Sequence, residues 1–323
     1  MLSPLAWSVG EVTRLRREAF RRGVCPTAKV GIPVISVGSL SMGGSGKTPV
    51  AALLARRLAR PGRTVGVVCG AYRGAARRRP ARVPWLPGCT AELVRRHGDE
   101  AVMLARWLPE AIVVGGQDKV AAAGLASELG ADVIVVDDGF QHQRLHRDLD
   151  ILVHGGVSTP EVFPLGPGRE HCSALPHADL LWHHSRDGAA PVAAAEGVVV
   201  SRAIPCRLLT ADGEVLGRPE ALRGLRVCLM TGIAAPGAFH RLAERLGAVI
   251  VDRIAVHDHA PFRRRHFRRA ARSRPDLILC TEKDLVRVRH PDLVGLACTT
   301  ELLQGEDRLS DAVGQAINRE GNR

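Results

Sequence analysis

Aromatic residues and closely spaced cysteines are scarce in this 323-residue chain. Phenylalanine, tryptophan and tyrosine together make up only 3% of it. So few rings argue against a protein that binds single-stranded nucleic acid, because such proteins stack bases on aromatic side chains. The eight cysteines are scattered and form no Cys-x-x-Cys pair. This spacing argues against a zinc site or a disulfide framework and predicts buried free thiols in a reducing cytoplasm.

Long apolar runs are also missing. No segment reaches the ~18 consecutive apolar residues of a membrane-spanning helix. Residues 1–30 nevertheless place Leu5, Val9, Val12 and Leu15 at helical spacing, with arginines around and beyond them. Two interpretations stay open. The segment is either an amphipathic helix that lies on an anionic membrane surface or an ordinary amphipathic helix packed on the adjacent domain.

Positive charge is abundant, although lysine is rare. The formal net charge is +12, and only Lys29, Lys47, Lys119 and Lys283 are lysines. Such an excess of cations favours a polyanionic partner, which can be nucleic acid, an anionic membrane surface or a phosphorylated substrate. A generally arginine-rich proteome would give the same charge without any such partner.

A glycine-rich segment between a buried strand and a helix is the centre of the sequence. Residues 34–37 are strand formers, and a helical pattern starts at Lys47. Between them the pattern is that of a P-loop, in which backbone N–H groups and a helix N-terminus bind phosphates. Lys47 would reach the β- and γ-phosphates of ATP, and the Thr48 hydroxyl would bind Mg²⁺. The candidate nucleotide-binding residues are Gly43, Gly44, Ser45, Gly46, Lys47 and Thr48.

The match to the P-loop pattern has one departure, since Ser41 stands where the pattern has its first glycine. One alternative is a glycine-rich turn that binds no ligand. Another is a dinucleotide-binding turn, which the Lys-Thr pair and the lack of an acidic residue about twenty positions later make a poor match. The rarity of lysine favours the P-loop, because a compact ammonium fits a phosphate site that a wide guanidinium would not.

Short apolar strands alternate with helical segments along the rest of the chain, which predicts an α/β fold. We predict two α/β domains. Residues 31–190 would form a P-loop nucleotide-binding domain with a doubly wound, mostly parallel sheet. Residues 191–323 would form a smaller, Rossmann-like domain that includes a linking β-hairpin with its turn at Asp212-Gly213. The ligands of such sheets bind at the carboxyl ends of the strands.

Two aspartates follow the most β-branched strand. Residues 133–136 are Val-Ile-Val-Val, and Asp137 and Asp138 come directly after them. An acidic residue at this place beside a P-loop is the Walker B arrangement, which binds Mg²⁺. The alternative is a simple turn at Asp138-Gly139. The P-loop upstream favours the metal-binding interpretation.

Further short motifs occur in a fixed order after the P-loop. They are Gly98-Asp99-Glu100, residues 137–142, Arg147-Asp148, residues 166–170, residues 231–234, Asp258-His259 and residues 281–284. Together with the P-loop they resemble the tetraacyldisaccharide 4'-kinases of lipid A biosynthesis, over nearly the whole chain.

The resemblance implies a kinase that uses ATP and Mg²⁺ and phosphorylates the 4'-hydroxyl of a tetraacyl disaccharide 1-phosphate. It also implies a peripheral protein on the cytoplasmic face of the inner membrane. Its partners would be the lipid disaccharide substrate and an anionic membrane surface. Neither nucleic acid nor an obligate protein partner is expected.

The same resemblance assigns a catalytic pair. Asp99 and His259 would together form the base that accepts the hydroxyl proton, since a carboxylate orients a histidine and stabilises its charged form. With Asp99 in the first domain and His259 in the second, this base would assemble only when the domains close on substrate. Without the resemblance, Asp99 would be a helix cap and His259 an ordinary loop residue.

The remaining candidate residues surround the reacting groups. Glu170 would contact Mg²⁺ or the substrate, and Arg169 would hold the phosphate that the substrate already carries. Lys283 is expected near the nucleotide, with a structural salt bridge as an equal alternative. Gln141 and His142 are further candidate substrate contacts.

Two other functions are compatible with a P-loop. A GTPase or metallochaperone would need an Asn/Thr-Lys-x-Asp motif to recognise guanine, and here Lys283 and Asp284 are adjacent. A nucleic-acid-dependent ATPase fits the charge, but the chain has few aromatic residues and no nucleic-acid-binding motif. The chain also departs from the kinase pattern at Gly70 and Gly168, which affects substrate detail more than reaction class.

Overall fold

Strands and helices alternate along the chain, which confirms the predicted α/β class. The computed structural model describes residues 4–86, 90–155, 161–190, 197–258, 260–288 and 290–321. The helices within these ranges are α1 (Pro4–Arg21), α2 (Lys47–Leu58), α3 (Thr90–His97), α4 (Asp99–Trp107), α5 (Lys119–Glu128), α6 (Pro236–Arg245), α7 (Arg264–Arg272), α8 (Glu282–Arg287) and α9 (Glu306–Gly321). The strands are β1 (Val34–Gly38), β2 (Val65–Cys69), β3 (Ala81–Arg82), β4 (Ile112–Gly115), β5 (Val133–Asp137), β6 (Leu149–His154), β7 (Leu180–Ser185), β8 (Val199–Leu209), β9 (Val215–Gly217), β10 (Arg226–Thr231), β11 (Val249–Ala255), β12 (Leu277–Thr281) and β13 (Leu293–Gln304).

All these strands belong to one sheet, in the order β11-β10-β12-β13-β8-β7-β6-β1-β5-β2-β4-β3, and β9 pairs with β8 beside this path. We call β1–β7 with their helices the N-terminal lobe and β9–β13 with theirs the C-terminal lobe. In the N-terminal lobe β1 lies between β5 and β6, and both neighbours are parallel to it. The predicted boundary between two domains at residue 190 stays a prediction, because strands from both sides of it join the same sheet.

Strand direction reverses once between the lobes. β8 is parallel to β7 but antiparallel to β13, and β12, β10 and β11 are all parallel to β13. β7 ends at Ser185, which pairs with Arg202 of β8. β12 ends at Thr281, which pairs with Leu296 of β13, and Leu296 in turn pairs with Leu208 of β8. These two positions are separated by six residues of β8, or about 20 Å. The carboxyl ends of the two lobes therefore face each other across a gap floored by β8 and β13.

Several features within and beside the C-terminal lobe were not anticipated from the sequence. β8 is one long strand through Pro205, and the pairing register with β13 shifts at Cys298, opposite this proline. Such a bulge accommodates a residue that has no N–H for the ladder. β13 and the short α8 were not predicted. The hairpin around Asp212-Gly213 is confirmed by the antiparallel pairing of β8 with β9.

The central strands of the C-terminal lobe, β10 and β12, bury both of their faces. In β10 the side chains of Cys228 and Met230 pack in one cluster with Ala270 of α7, whereas Leu229 packs in another with Phe239 of α6. Helices therefore cover both faces of this part of the sheet, which is why its strands read as continuous apolar runs. Cys228 and Cys280 are buried free thiols, as predicted, but the prediction is wrong for Cys206, which is exposed.

Helix α1 is attached to the N-terminal lobe through a buried ion pair. Arg17 and Glu170 are only 6% and 5% exposed, and Arg17 Nη2 lies 2.7 Å from Glu170 Oε2. The guanidinium also lies 4.2 Å from the ring centre of Phe140. Val12 and Leu15 of the predicted apolar side remain exposed. In the described part of the chain, no helix combines the length and the apolar character needed to cross a bilayer.

Replacement of Arg17 should destabilise the protein strongly. In Arg17→Met the carboxylate of Glu170 stays buried without its partner, so we expect the free energy of unfolding to fall by about 3–5 kcal/mol in urea denaturation. Arg17→Met/Glu170→Gln should recover much of this loss. The matched control is Arg14→Met, which removes an exposed pair with Glu11 and should cost at most about 1 kcal/mol. Equal losses for the two arginines would contradict the expectation.

Candidate active site

A cleft of about 810 Å³ lies where the carboxyl ends of the two lobes face each other. Its N-terminal wall contains the predicted P-loop and the residues that follow β2, β4 and β5. Its C-terminal wall contains residues that follow β10 and β12, and β8 and β13 contribute to its floor through Ala203 and Leu296. The cleft is where switch-point geometry places the ligands of a parallel sheet.

The P-loop requires glycine at several positions, and residues of the C-terminal lobe pack directly against it. Gly43, Gly44 and Gly46 have φ values of 91°, 69° and 84°, a region that favours glycine. A Cβ atom at Gly43 would lie 3.3 Å from that of Ala234, and one at Gly44 would lie 3.1 Å from that of Ala235. The C-terminal lobe therefore reaches the phosphate-binding loop through the segment that follows β10.

The motif at residues 166–170 supports the P-loop from outside. Met42 N donates to Pro167 O at 2.7 Å, and Arg169 N donates to Leu40 O at 2.7 Å. Ser41 forms an antiparallel backbone bridge with Gly168, and its φ is not positive. Serine is therefore sterically acceptable at the position where the P-loop pattern has glycine, and this departure leaves the loop geometry intact.

Asp138 joins the P-loop lysine to the supporting motif. Its Oδ1 lies 3.4 Å from Lys47 Nζ and 2.7 Å from Arg169 Nη1. Burial opposes ionisation of Asp138, but Lys47 and Arg169 outweigh it and lower the pKa of the carboxyl. Asp138 also has a positive φ of 60°, a conformation that is uncommon outside glycine. Two sequence predictions, Lys47 and Asp138, are thus brought into one cluster.

Asp137 has free capacity to bind a cation. It is 3% exposed, and its Oδ1 is buried without a hydrogen-bond partner among the described residues. Burial raises the pKa of this carboxyl to about 6. Thr48 lies nearby in the wall of the same cleft. These oxygen donors fit Mg²⁺, which one or two carboxylates commonly hold together with the phosphates of a nucleotide.

The described residues contain no group of three or more His, Cys, Asp or Glu side chains arranged for a metal. An ion bound mainly by protein side chains is therefore not indicated within them. A hydroxyl and one or two carboxylates at a P-loop are instead the arrangement of a site that the nucleotide itself completes.

Lys283 connects the two lobes across the cleft. Its Nζ lies 3.0 Å from Glu100 Oε1 in the N-terminal lobe and 3.4 Å from Asp258 Oδ1 in the C-terminal lobe. Burial opposes its charge, but Glu100, Asp99 and Asp258 raise the pKa of this lysine. Both sequence-based alternatives for Lys283 are thus compatible with its position, since it lines the nucleotide cleft and forms salt bridges.

The predicted catalytic pair is placed only in part. Asp99 begins α4 and is 4% exposed, with Oδ2 3.5 Å from Arg287 Nε of the C-terminal lobe. His259 lies outside the described residues. Its neighbour Asp258 lines the cleft. The pairing of Asp99 with His259 therefore stays a prediction.

The other predicted contacts take two kinds of position. His142 lines the cleft, and burial lowers its pKa to about 4, so it is neutral at physiological pH. Gln141 holds the loop together, because its Nε2 donates to Ser39 O at 3.0 Å. Glu170 is not among the residues that line the cleft and is held by Arg17.

Some cleft residues were not singled out from the sequence. Lys119 is 4% exposed, and its Nζ donates to Asp137 O at 3.2 Å. The sequence feature that could have identified this residue is the rarity of lysine, since the chain has only four. Glu100 was visible only as part of a motif. His184 and Arg186 carry no sequence signal, because the loop that they contact lies far earlier in the chain.

The free energy of unfolding should fall as the pH rises through the titration of Asp137. The pKa of Asp137 is about 6 in the folded protein and 3.8 as the usual value. The free energy of unfolding should therefore decrease between about pH 4 and pH 6, by up to about 3 kcal/mol in total. Asp137→Asn should therefore be more stable than wild type at pH 7.5 and similar at pH 4 in urea denaturation without Mg²⁺ or nucleotide. The exposed control Asp311→Asn should show no such pH-dependent gain, and an absent gain in Asp137→Asn would refute the expectation.

Comparisons with known proteins give one consistent family. A family model described as tetraacyldisaccharide-1-P 4'-kinase matches residues 1–318. The tetraacyldisaccharide 4'-kinases of Anaeromyxobacter dehalogenans and Geobacter sulfurreducens are 40% and 39% identical to this chain over 328 and 292 residues. These matches cover 93% and 86% of this chain and 85% and 81% of the relatives.

A solved structure agrees in fold. The crystal structure of LpxK from Aquifex aeolicus, described as an "apo" form in complex with ATP at 2.2 Å resolution, superposes with a TM-score of 0.75 at 26% identity. The match covers 97% of this chain and 98% of that one. The chain therefore belongs to the tetraacyldisaccharide-1-P 4'-kinase family.

Proposed function

We propose that this chain is an ATP-dependent kinase that phosphorylates the 4'-hydroxyl of a tetraacyl disaccharide 1-phosphate, with Mg²⁺ as cofactor. The observation that carries the proposal is the composition of the cleft. A P-loop, the Asp137-Asp138 pair and the Glu100–Lys283–Asp258 bridge line one space between two lobes, in a chain of this family.

The nucleotide would bind on the N-terminal wall. The P-loop N–H groups and Lys47 would hold its phosphates, and Thr48, Asp137 and Asp138 would hold Mg²⁺. When bound, the metal would neutralise the negative charge that develops on the transferred phosphoryl group. Arg169 already neutralises Asp138, so Lys47 can turn to phosphate without leaving that carboxylate unpaired. Glu170 remains a proposed contact to the metal or the substrate, and it would first have to leave Arg17.

The acceptor would bind where the lobes meet. Asp99 and His259 would accept the proton of the 4'-hydroxyl, and the neighbouring bridge of Lys283 to Asp258 would bring the segment with His259 toward the N-terminal lobe. Arg169, Gln141 and His142 are the proposed contacts to the phosphorylated disaccharide. A base shared between lobes would be complete only with the cleft closed, which protects the bound ATP from hydrolysis.

The membrane is the proposed site of action, reached peripherally from the cytoplasmic side of the inner membrane. The exposed side chains of Trp7, Val12 and Leu15 on α1 lie within a sector of about 140° of a regular helix. Arg14 and Arg16 are exposed at its edges. The same sector contains Glu11 and Glu18, whose carboxylates are paired with Arg14 and with Arg21 and Arg22. Exposed apolar side chains beside arginines are what a helix lying on an anionic bilayer would present.

Transfer of labelled γ-phosphate from ATP to a tetraacyl disaccharide 1-phosphate in detergent micelles tests the reaction. Wild type should phosphorylate the lipid, and Asp99→Asn and His259→Ala should each lower kcat by about 10²–10⁴-fold, the usual contribution of a general base. His257→Ala removes an exposed histidine two residues away and should keep wild-type activity.

The outcomes of this assay separate the claims. Transfer that survives His259→Ala would retain the kinase and remove His259 as the base. Hydrolysis of GTP without lipid, together with no transfer to the disaccharide, would instead indicate a GTPase-type protein.

Binding to vesicles tests the membrane helix. Trp7→Ser/Val12→Ser/Leu15→Ser should weaken sedimentation with phosphatidylglycerol vesicles by at least tenfold while Arg17 still attaches α1. The matched control is Val215→Ser/Leu216→Ser, which removes two exposed apolar side chains from the distant β9 hairpin. If both variants bind vesicles as wild type does, α1 is not the membrane contact.

A further inference from the structure

Two residues at the carboxyl end of β7 have polar groups that face the cleft without an assigned role. His184 and Arg186 both line it. In the sheet order, β6 and β7 lie on one side of β1, whereas β5 with Asp137 and Asp138 lies on the other. The two residues therefore approach the P-loop from the side opposite the proposed metal site.

The proton of His184 is fixed on one nitrogen by its neighbours. Trp182 Nε1 donates to Ser201 Oγ at 2.8 Å, and His184 Nδ1 lies 2.8 Å from the same oxygen. The indole N–H can only donate, so Ser201 Oγ accepts from Trp182. Among the described residues the hydroxyl hydrogen of Ser201 has no acceptor other than His184 Nδ1, so it is donated to that nitrogen. Nδ1 is then an acceptor, and the neutral ring carries its hydrogen on Nε2. His184 is 1% exposed, and this burial favours the neutral form.

The Nε2–H edge of His184 lies against the P-loop. A Cβ atom at Gly46 would be 2.3 Å from His184 Cδ2 and 3.3 Å from Nε2. Position 46 thus requires glycine for two reasons: its φ is positive, and any Cβ atom there would clash with the imidazole ring of His184. Within the described part of the chain Nε2 has no hydrogen-bond partner. A buried donor of fixed tautomer is therefore aimed beside the loop that binds phosphate.

Arg186 is a cation held beside the same loop without a carboxylate partner in the described ranges. Its Nε is buried and unpartnered. A Cβ atom at Gly44 would lie 3.2 Å from its Nη1, and one at Gly155 would lie 3.3 Å from its Nε. The adjacent Asp187 pairs instead with Arg241 at 2.8 Å. A largely buried guanidinium without a counter-charge is costly, and an anion in the cleft would remove this cost.

We propose that His184 Nε2–H and the Arg186 guanidinium bind the non-transferred phosphates of the nucleotide. The inference rests on the proposed function for the identity of that nucleotide. Asp138 and Lys47 would then face the transferred phosphate from the β5 side, and His184 and Arg186 the others from the β7 side. Both are charge-assisted donors to phosphate oxygen once the ligand is present, and a guanidinium fork matches that geometry.

Calorimetric titration with ADP tests the role of Arg186 without the lipid reaction. Arg186→Met should raise the Kd of ADP and of ATP by the same factor, about tenfold or more, which is the usual value of a hydrogen bond to a charged group. The matched control Arg241→Met removes an equal charge next to Asp187 and should leave the Kd of ADP unchanged.

Three variants test the donor of His184. His184→Gln keeps an N–H near the Nε2 position and should bind ADP within about threefold of wild type, whereas His184→Leu should lose about tenfold. Ser201→Ala removes the group that fixes the tautomer and should also weaken ADP binding. Nitrogen-15 NMR should show protonation at Nε2 in wild type and a mixture of tautomers in Ser201→Ala, a readout that simple loss of packing would not produce.

The results distinguish this inference from the proposed function. An unchanged Kd of ADP in both Arg186→Met and His184→Leu would overturn the inference, as would a higher KM for the lipid with unchanged ADP affinity. An Nδ1–H tautomer in wild type would overturn the role of Ser201. If wild type binds ADP through these residues but phosphorylates no lipid, the inference stands and the proposed function fails.

Discussion

The antiparallel pairing of β8 with β13 is the constraint on which the remainder of the structure depends. Because of this pairing, β13 and the strands beyond it in the sheet, β12, β10 and β11, run opposite to β8. The loops at the carboxyl ends of the two lobes therefore open toward each other. Had β13 run parallel to β8, the segments after β10 and β12 would lie at the far edge of the sheet from the P-loop. The contacts of Ala234 and Ala235 with the loop glycines, and of Lys283 with Glu100, all follow from this reversal.

Charge in the cleft is balanced by exchangeable pairs. Lys47 and Arg169 share Asp138, and Lys283 shares Glu100 and Asp258. Because Asp138 contacts two cations, it keeps its pair with Arg169 when Lys47 turns toward an anion. Arg186 differs, because the described residues give this cation no carboxylate partner, so a bound anion would supply its counter-charge.

Much of the fold and part of the site could be predicted from the sequence. The features that could be predicted depend on residues close together in the chain, and those that were missed depend on contacts between distant segments. The P-loop and Asp137-Asp138 are contiguous motifs next to β-branched strands, so local pattern was sufficient. β13 was missed because Gly295 and polar residues interrupt its apolar pattern, and only pairing with the distant β8 makes it a strand. The Arg17–Glu170 pair, 153 residues apart, could not be inferred, since neither residue has a local partner that indicates burial.

The continuity of the sheet has a mechanical consequence. Two domains joined by a flexible linker can rotate almost freely, but these lobes are joined by a ladder of backbone hydrogen bonds between β8 and β13, which continues on both sides of the bulge at Cys298. If the lobes close on substrate, as proposed, they would have to twist or bend this two-stranded ribbon over the six-residue stretch between Arg202 and Leu208. A ribbon bent in this way would itself supply a force that reopens the cleft.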